Sequence, residues 1–309
     1  NRLAAEQAKA KQRREEEIRA ASKLTEAERL ADIRQKGLDK MDMSYNKMME
    51  IPKSLFHGRD AQDRIGNLVW ADFSNNKIEA IPEGFLFWFS SVRSITFASN
   101  RLSCLPSETE NLATLEILDI SNNELVRLPP EIGRLVKLKH FMCAHNHFER
   151  LPDEIGDCVS LELLVVHSNK LTHLPHTIGH LAALERFDLR GNQIIELPEE
   201  FADLVSLTKL DLLGNRLPYL PEKLGQCCQM KLYDMGANEI AVAPDSMENF
   251  EEMEMCSMRE NQLQELGDYI SGWRAVIQID CWHNKIHHIS SGIGNCASLQ
   301  SLLMTDNCL

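Results

Sequence analysis

The stretch Leu115-Glu116-Ile117-Leu118-Asp119-Ile120-Ser121-Asn122-Asn123-Glu124-Leu125-Val126-Arg127-Leu128-Pro129 decides the fold of this chain. Its spacing, L-x-x-L-x-L-x-x-N-x-L-x-x-L-P, returns along most of the sequence. The asparagine recurs every 23 residues at Asn100, Asn123, Asn146, Asn169, Asn192, Asn215, Asn238, Asn261, Asn284 and Asn307, and Asn76 and Asn46 continue the series upstream at spacings of 24 and 30. A fixed period of this length predicts a solenoid whose units bury their apolar sides against one another. We count twelve units, the last cut off at Leu309.

The short L-x-L segment of each unit alternates apolar and polar residues, which predicts a strand with one buried face. Successive strands should stack into a parallel sheet at about 4.8 Å per step. The asparagine follows the strand, where its amide both donates and accepts hydrogen bonds and pairs with buried backbone groups. We therefore predict a structural role, rather than ligand binding, for Asn100, Asn123, Asn146, Asn169, Asn192 and Asn215.

This pattern resembles the leucine-rich-repeat family over residues 38–309. The 23-residue length and the segments Pro129-Pro130-Glu131-Ile132-Gly133 and Leu151-Pro152-Asp153-Glu154-Ile155-Gly156 are similar to the intracellular, Ras-group-related subclass. That subclass includes the Ras-pathway scaffold and the Ras-suppressor protein. The resemblance implies an α/β solenoid, a horseshoe with a parallel concave sheet, used for binding.

Residues 1–37 are predicted to form a charged helical segment that precedes the solenoid. Residues 1–36 contain no Gly or Pro, Thr25 to Glu28 fits a capping box, and Gly37 is placed to end the helix. An apolar stripe that includes Leu24 and Leu30 should cover the open edge of the first unit. The more charged start of this segment is expected either to be solvated or to dock on a neighbouring protein.

The charge and cysteine content of the chain limit the kinds of partner it can bind and the cell compartment in which it is expected. The chain has a formal charge of −13, and residues 38–309 carry 23 basic against 39 acidic residues. This acidity disfavours nucleic acid or an anionic membrane as the main partner, and no apolar run is long enough for membrane insertion. The nine cysteines are dispersed, with Cys143, Cys256 and Cys281 at inward-facing positions, and no N-x-S/T sequon occurs. These features favour a reducing compartment, with cytoplasm as the expected location and cilium or cytoskeleton as the alternative.

Three interruptions of the period are informative. Seven extra residues around His57 to Asp60 predict an exposed loop, and the aromatic run from Gly84 to Phe89 offers a second docking patch beside its core residues. The last unit stops at Leu309 without a polar cap, exposing Leu302, Met304 and Leu309 together. We expect either that the natural chain continues beyond Leu309 or that a partner covers that edge. Because the sequence starts at Asn1 rather than Met, a segment before it is also expected as an alternative.

The concave face should display the third, fifth, seventh and eighth positions of each unit. The fifth positions form a column that reads Asp42, Asp72, Thr96, Asp119, Met142, Val165, Asp188, Asp211, Asp234, Ser257, Asp280 and Leu303. Carboxylates such as Asp188, Asp211 and Asp234 are expected either to be solvated or neighbour-paired, or to form a negative wall for a basic ligand surface.

The interruption of this column by Met142 and Val165 indicates a binding site more specifically than the aspartates do. Ile117 and Leu163 are apolar on the same face, and three histidines lie nearby, at His140, His145 and His167. An apolar patch ringed by histidine and carboxylate is typical of a protein-binding hot spot, although solenoids also carry scattered apolar residues there. Trp282 is a further predicted contact residue.

The sequence offers no catalytic motif and no metal site. No P-loop, dinucleotide fingerprint, G-x-S-x-G motif or kinase set occurs, so we expect no enzymatic activity and no cofactor. His283, His287 and His288 lie near Cys281, but Cys281 should point into the core, and the spacing matches no zinc arrangement.

We therefore predict a non-catalytic intracellular interaction module or signalling scaffold that binds protein partners on its concave face. The resemblance implies a small GTPase or a phosphatase as the partner. One alternative is a structural subunit of a large ciliary or cytoskeletal assembly. The other is the targeting arm of a longer multidomain enzyme.

Overall fold

A computed structural model of the chain describes residues 39–53 and 67–309. The predicted N-terminal helical segment and cap at residues 1–37, and the predicted loop around His57 to Asp60, lie outside the described residues.

Twelve short strands form one parallel sheet whose spatial order follows the chain. Each central strand residue up to β12 is buried, and its two neighbours face the solvent side. This confirms the predicted repeat and strand pattern. The sheet strands are β1 (Lys40–Asp42), β2 (Trp70–Asp72), β3 (Ser94–Thr96), β4 (Ile117–Asp119), β5 (His140–Met142), β6 (Leu163–Val165), β7 (Arg186–Asp188), β8 (Lys209–Asp211), β9 (Leu232–Asp234), β10 (Met255–Ser257), β12 (Gln278–Asp280) and β14 (Ser301–Leu303); β11 (Glu265–Leu266) and β13 (His288–Ile289) form a separate pair.

The opposite side of the solenoid is built from 3₁₀-helices, and no α-helix occurs within residues 39–53 and 67–309. The α part of the expected α/β solenoid is therefore wrong for the described chain. With three residues per turn, a 3₁₀-helix places Ile132 and the following Leu135 on one side, and both are fully buried. The helices span Leu86–Trp88, Ser107–Asn111, Pro130–Arg134, Asp153–Asp157, His176–His180, Glu199–Asp203, Leu224–Gln226, Asp245–Asn249, Asp268–Gly272 and Ser291–Asn295.

The repeated asparagines form the predicted ladder. The Oδ1 atom of Asn123 accepts a hydrogen bond from the Leu102 N–H of the preceding unit at 2.9 Å. Its Nδ2 donates to the Phe97 carbonyl of that unit and to its own Ile120 carbonyl, both at 3.0 Å. All six predicted structural asparagines repeat these contacts, and each is at most 9% exposed. Each amide thus binds its own turn to the unit before it, which satisfies buried backbone groups.

The residue before each asparagine has a left-handed backbone, which the sequence did not predict. Asn122 has φ 57° and His145 has φ 52°, whereas Gly191 and Gly214 occupy the same position in their units. This conformation turns the chain from the strand into the core. Because only two of these positions carry glycine, the usual sequence signal for a positive φ is missing.

The aromatic run after Gly84 is mostly core. Phe85, Leu86 and Phe89 are at most 2% exposed, whereas Phe87 is 61% exposed and rests edge-on against half-buried Trp88. The predicted docking patch therefore reduces to these last two rings. In the last unit, Leu302 and Met304 are partly buried and Leu309 is exposed, so the expected joint exposure is confirmed only for Leu309.

The pair β11–β13 forms where the repeat loses its proline. The position after the last leucine of the unit is proline in earlier units, for example Pro221 and Pro244, but Gly267 and Ser290 replace it later. The Ser290 N–H donates to the Leu266 carbonyl at 2.8 Å, which a proline could not do. The loss of this residue type therefore allows a second, small sheet.

Candidate protein-binding site

The register of the sheet assembles the predicted concave columns. Met142 pairs with Asp119 on one side and with Val165 on the other, and the same register continues through Asp188, Asp211 and Asp234. The first strand residues form a second column, in which Ile117, His140 and Leu163 are adjacent. The structure thus brings the predicted hot-spot residues of β4 to β6 together on one face.

All seven carboxylates of the aspartate column accept a hydrogen bond from their own backbone, two residues on. The Oδ1 of Asp119 accepts from the Ser121 N–H at 2.9 Å, and the Oδ1 of Asp234 accepts from the Gly236 N–H at 2.8 Å. Equivalent contacts occur at Asp42, Asp72, Asp188, Asp211 and Asp280. The column is therefore first a series of local caps at the strand ends. Met142 and Val165 cannot make this bond, so these two units give up a local contact and present apolar side chains instead.

The central patch, defined as Ile117, His140, Met142, Leu163 and Val165, is half-buried rather than fully exposed. This corrects the expected degree of exposure, because strands about 4.8 Å apart bring neighbouring side chains into contact. His140 lies 3.8 Å from the Glu162 carboxylate. A partner would still cover a contiguous apolar surface of residues from three neighbouring strands.

A pair of imidazoles borders the central patch. His145 and His167 contact edge to face with ring centroids 4.8 Å apart, and the Nδ1 of His167 lies 3.0 Å from the Ser168 Oγ. Burial lowers the pKa of His167 below its ordinary value; Arg190 and His145 act in the same direction, against an opposing effect of Asp188. The His167 ring therefore favours its neutral form near neutral pH, and the contact between the two rings gives the patch an aromatic border.

The expected negative wall is partly neutralised by an arginine. The Arg190 guanidinium lies 3.4 Å from the Asp188 carboxylate and 3.7 Å from that of Asp211. Burial raises the pKa of Asp211; Asp188 and Asp234 add to this effect, and the Leu213 N–H and Arg190 oppose it. The sequence alone did not reveal that this arginine bridges two carboxylates.

A depression of about 410 Å³ lies farther along the concave face, over β8 to β12. Leu232 and Met255 line it, together with the carboxylates of Asp211, Asp234 and Asp280. Met255 is 45% exposed, and the indole of Trp282, in the adjacent unit, is 41% exposed. Asp211, Asp234 and Trp282 were predicted from the sequence, whereas Leu232 and Met255 were not. Aligning the first strand residues of successive units would have shown these two apolar side chains as neighbours.

Arg259 lines the same depression, and its Nε atom is buried without a hydrogen-bond partner among the described residues. Buried polar atoms of this kind are usually satisfied. The hydroxyls of Tyr233 and Ser257, which also line the depression, are likewise buried without a partner among the described residues. An acceptor from a bound protein would satisfy Arg259, so the depression presents acidic groups beside unsatisfied polar atoms.

The histidines near the end of the chain do not assemble with Cys281. Cys281 is fully buried, whereas His283 is exposed and contacts the Asp306 carboxylate. Among the described residues, no three His, Cys, Asp or Glu side chains are grouped to hold a metal ion. Within residues 39–53 and 67–309, no helix combines the length and hydrophobicity that a membrane span requires.

Comparison with known proteins agrees with this repeat geometry. The "Leucine rich repeat" family profiles match residues 136–194 and 159–217, and a second "Leucine Rich Repeat" profile matches residues 114–135. No curated protein sequence matches the chain. The asparagine ladder carries the same unit from Asn46 to Asn307, beyond the matched segments. Over residues 114–217 the chain is therefore similar to the leucine-rich-repeat family.

Solved structures share the fold. An LRR protein of Leptospira interrogans aligns with a TM-score of 0.71 at 25% identity, over 92% of this chain and 76% of that one. Toll, in its complex with Spatzle from Drosophila, aligns with a TM-score of 0.74 at 22% identity, over 84% of this chain and 35% of its own. The plant peptide hormone receptor RGFR1, in complex with RGF2, aligns with a TM-score of 0.61 at 20% identity, over 90% and 53%. The last two likenesses show the fold alone.

Proposed function

We propose that this chain is a non-catalytic signalling scaffold that binds a protein partner on its concave face. Leucine-rich repeats generally mediate protein–protein interaction and are generally non-catalytic, and two of the similar structures hold protein or peptide ligands. The observation that carries the proposal is the gap in the aspartate column at Met142 and Val165. There the chain gives up a strand-end hydrogen bond and presents an apolar surface in its place.

The dimensions of the face fit one protein partner. The central patch begins at β4 and the depression ends at β12, seven strand steps later, which is about 34 Å at the usual spacing. A standard interface buries about 800 Å² on each partner and has a similar width. One globular partner would therefore cover both regions.

The chemistry of the face defines complementary features on that partner. Apolar side chains should meet the central patch, and basic groups should meet Asp234 and Asp280. An acceptor should reach Arg259. A small GTPase or a phosphatase is our proposed partner class, by analogy with the Ras-group-related repeats that the sequence resembles.

The cysteines support a reducing location. All nine thiols are free, and six of them are buried. We therefore place the proposed scaffold in the cytoplasm. If the protein were recovered mainly in a detergent-insoluble cytoskeletal fraction, the alternative role as a structural subunit of a ciliary or cytoskeletal assembly would be favoured. A catalytic domain in the same protein would favour the alternative role as the targeting arm of an enzyme.

The test is the double variant Met142→Asp and Val165→Asp, used in affinity capture from a cytoplasmic extract. Each new carboxylate takes the register of Asp119, so it should cap its strand end and leave folding unchanged. We expect the wild-type chain to capture a partner and the double variant to lose it, because the apolar contact is replaced by charge.

The matched control is the double variant Thr96→Asp and Leu303→Asp. These residues lie in the same column but outside β4 to β12, and they add the same charge. Capture should survive in the control. Equal losses in both variants would show a general charge effect, and undiminished capture by the first variant would remove the central patch from the interface.

A further inference from the structure

A second recess lies outside the concave face, between the segments that follow Asn238 and Asn261. We call it the flank groove; it has a volume of about 540 Å³. Ala241, Val242 and Ala243 form one wall, and Glu265 and Gly267 belong to the other. Neither the sequence motifs nor the proposed concave interface accounts for it.

Two departures from the repeat lie in this groove. Ala243 occupies the position of a leucine such as Leu197 or Leu220, and Gly267 replaces the usual proline. In the described chain, no backbone hydrogen bond joins residues 264–267 to residues 241–243, whereas β11 and β13 pair directly in the following units. One edge of β11 is therefore left unpaired along the groove.

Tyr269 lines the groove and has an unsatisfied hydroxyl. The equivalent positions of other units carry charged residues such as Glu154 and Glu200, but Tyr269 is only 3% exposed and packs against Trp273 with ring centroids 5.6 Å apart. By distance and angle its hydroxyl makes no hydrogen bond among the described residues, although the backbone of Gly267 lies close enough to interact with it. Leaving a buried hydroxyl unpaired is unfavourable, so a donor that enters the groove would be stabilised.

The rim of the groove is acidic. Asp245, Glu248, Glu265 and Asp268 are exposed around it, and no Lys or Arg belongs to its described lining. Val242, 71% exposed, adds an apolar edge. A long side chain with an apolar stem and a cationic end matches this combination of surfaces.

We propose that the flank groove binds a basic segment of a partner protein, with a lysine or arginine stem against Val242 and its cation at Tyr269 and the rim carboxylates. The groove does not share residues with the concave site, so this second contact does not depend on the proposed function. A chain with both sites would hold two protein surfaces at once.

The test uses amide chemical shifts of the whole chain, titrated with a blocked Gly-Ala-Lys-Ala-Lys-Ala-Gly peptide and with the same peptide carrying Glu for Lys. We expect the lysine peptide to shift residues 241–243 and 265–269, and the glutamate peptide to leave them unchanged. Glu265→Lys should weaken binding by roughly tenfold, because it inverts one rim charge.

The control variant is Glu196→Lys, which lies at the same repeat position in a unit that keeps its leucine and proline. The match is close: Glu265 lies 3.7 Å from His288, Glu196 lies 3.6 Å from His173, and both side chains are about half exposed or more. Binding should be retained in this control. Equal loss in both variants, shifts confined to the concave face, or no shift at millimolar peptide would each overturn the proposal.

Discussion

Replacing Asn169 with alanine tests the ladder that holds the units together. The Oδ1 of Asn169 accepts from the Phe148 N–H at 3.0 Å, and its Nδ2 donates to the carbonyls of Val166 at 2.9 Å and Cys143 at 3.2 Å. The two carbonyls keep another amide donor, from Asn192 and Asn146. The variant therefore leaves the Phe148 N–H without any partner, and the carbonyls of Val166 and Cys143 each lose one amide donor and keep another.

One unsatisfied buried donor costs about 1–3 kcal/mol, and each lost bond to a carbonyl that keeps a partner costs about 0.5 kcal/mol, for a loss of about 2–4 kcal/mol. Urea unfolding should show a lower midpoint. Hydrogen exchange should show that the amide of Phe148 loses protection more than the amides of distant units.

The matched variant is Asn46→Ala. Among the described residues, the Asn46 side chain donates to the Met43 carbonyl at 2.8 Å, and Asn76 also donates to that carbonyl. We expect its cost to stay below about 1 kcal/mol. Equal costs in the two variants would refute the ladder as the source of stability. Normal unfolding of Asn169→Ala together with lost partner binding would show that the asparagine contacts a ligand.

Three further outcomes follow from the packing. Gly156→Ala should destabilise the chain by about 1–3 kcal/mol in urea unfolding, because its Cβ would lie 2.4 Å from the Thr177 carbonyl oxygen. The control Gly294→Ala should be neutral, because no atom lies within 4 Å of its Cβ. Similar unfolding midpoints for the two variants would refute this steric reason. At pH 8 a thiol reagent should modify three of the nine cysteines in the folded chain and all nine after denaturation, because burial shields the other six and raises the pKa of Cys158 to about 12. In an NMR titration His167 should have a midpoint below about 6.5, and Arg190→Gln should raise it. Since the unfolded chain then binds more protons, the contribution of His167 should reduce stability as pH falls from about 6.5 through the folded pKa, and a midpoint above 6.5 would contradict this.

The sequence predicts those features that depend on period and side-chain type. The spacing of Asn123 and its counterparts specifies the ladder, and the column that contains Met142 and Val165 has the predicted register. The groups that stabilise this face are harder to predict, because they depend on geometry between units. Arg190 contacts two carboxylates only because neighbouring strands lie side by side. Asp119 accepts from its own backbone at the bend after the strand, and no particular residue type in the sequence predicts that bend.

Other differences between the predictions and the structure arise where the packing of side chains depends on the backbone path rather than on residue type. A run of apolar residues does not tell which rings face the core, so the burial of Phe85 and the exposure of Phe87 required the path of the backbone. The flank groove depends on two small absences, a leucine side chain at Ala243 and a proline ring at Gly267. Their effect becomes visible only when the two units are placed against each other.

The ladder has a direction, and that direction matters while the chain is being made. Each asparagine binds its own turn and the unit before it, as Asn123 does with Leu102 and Phe97. A unit emerging from the ribosome therefore brings the amide that fastens it to the unit already folded, and it need not wait for later sequence. The solenoid can grow by one unit at a time from its N-terminal side, and the backbone groups that still await the next asparagine belong to the newest turn.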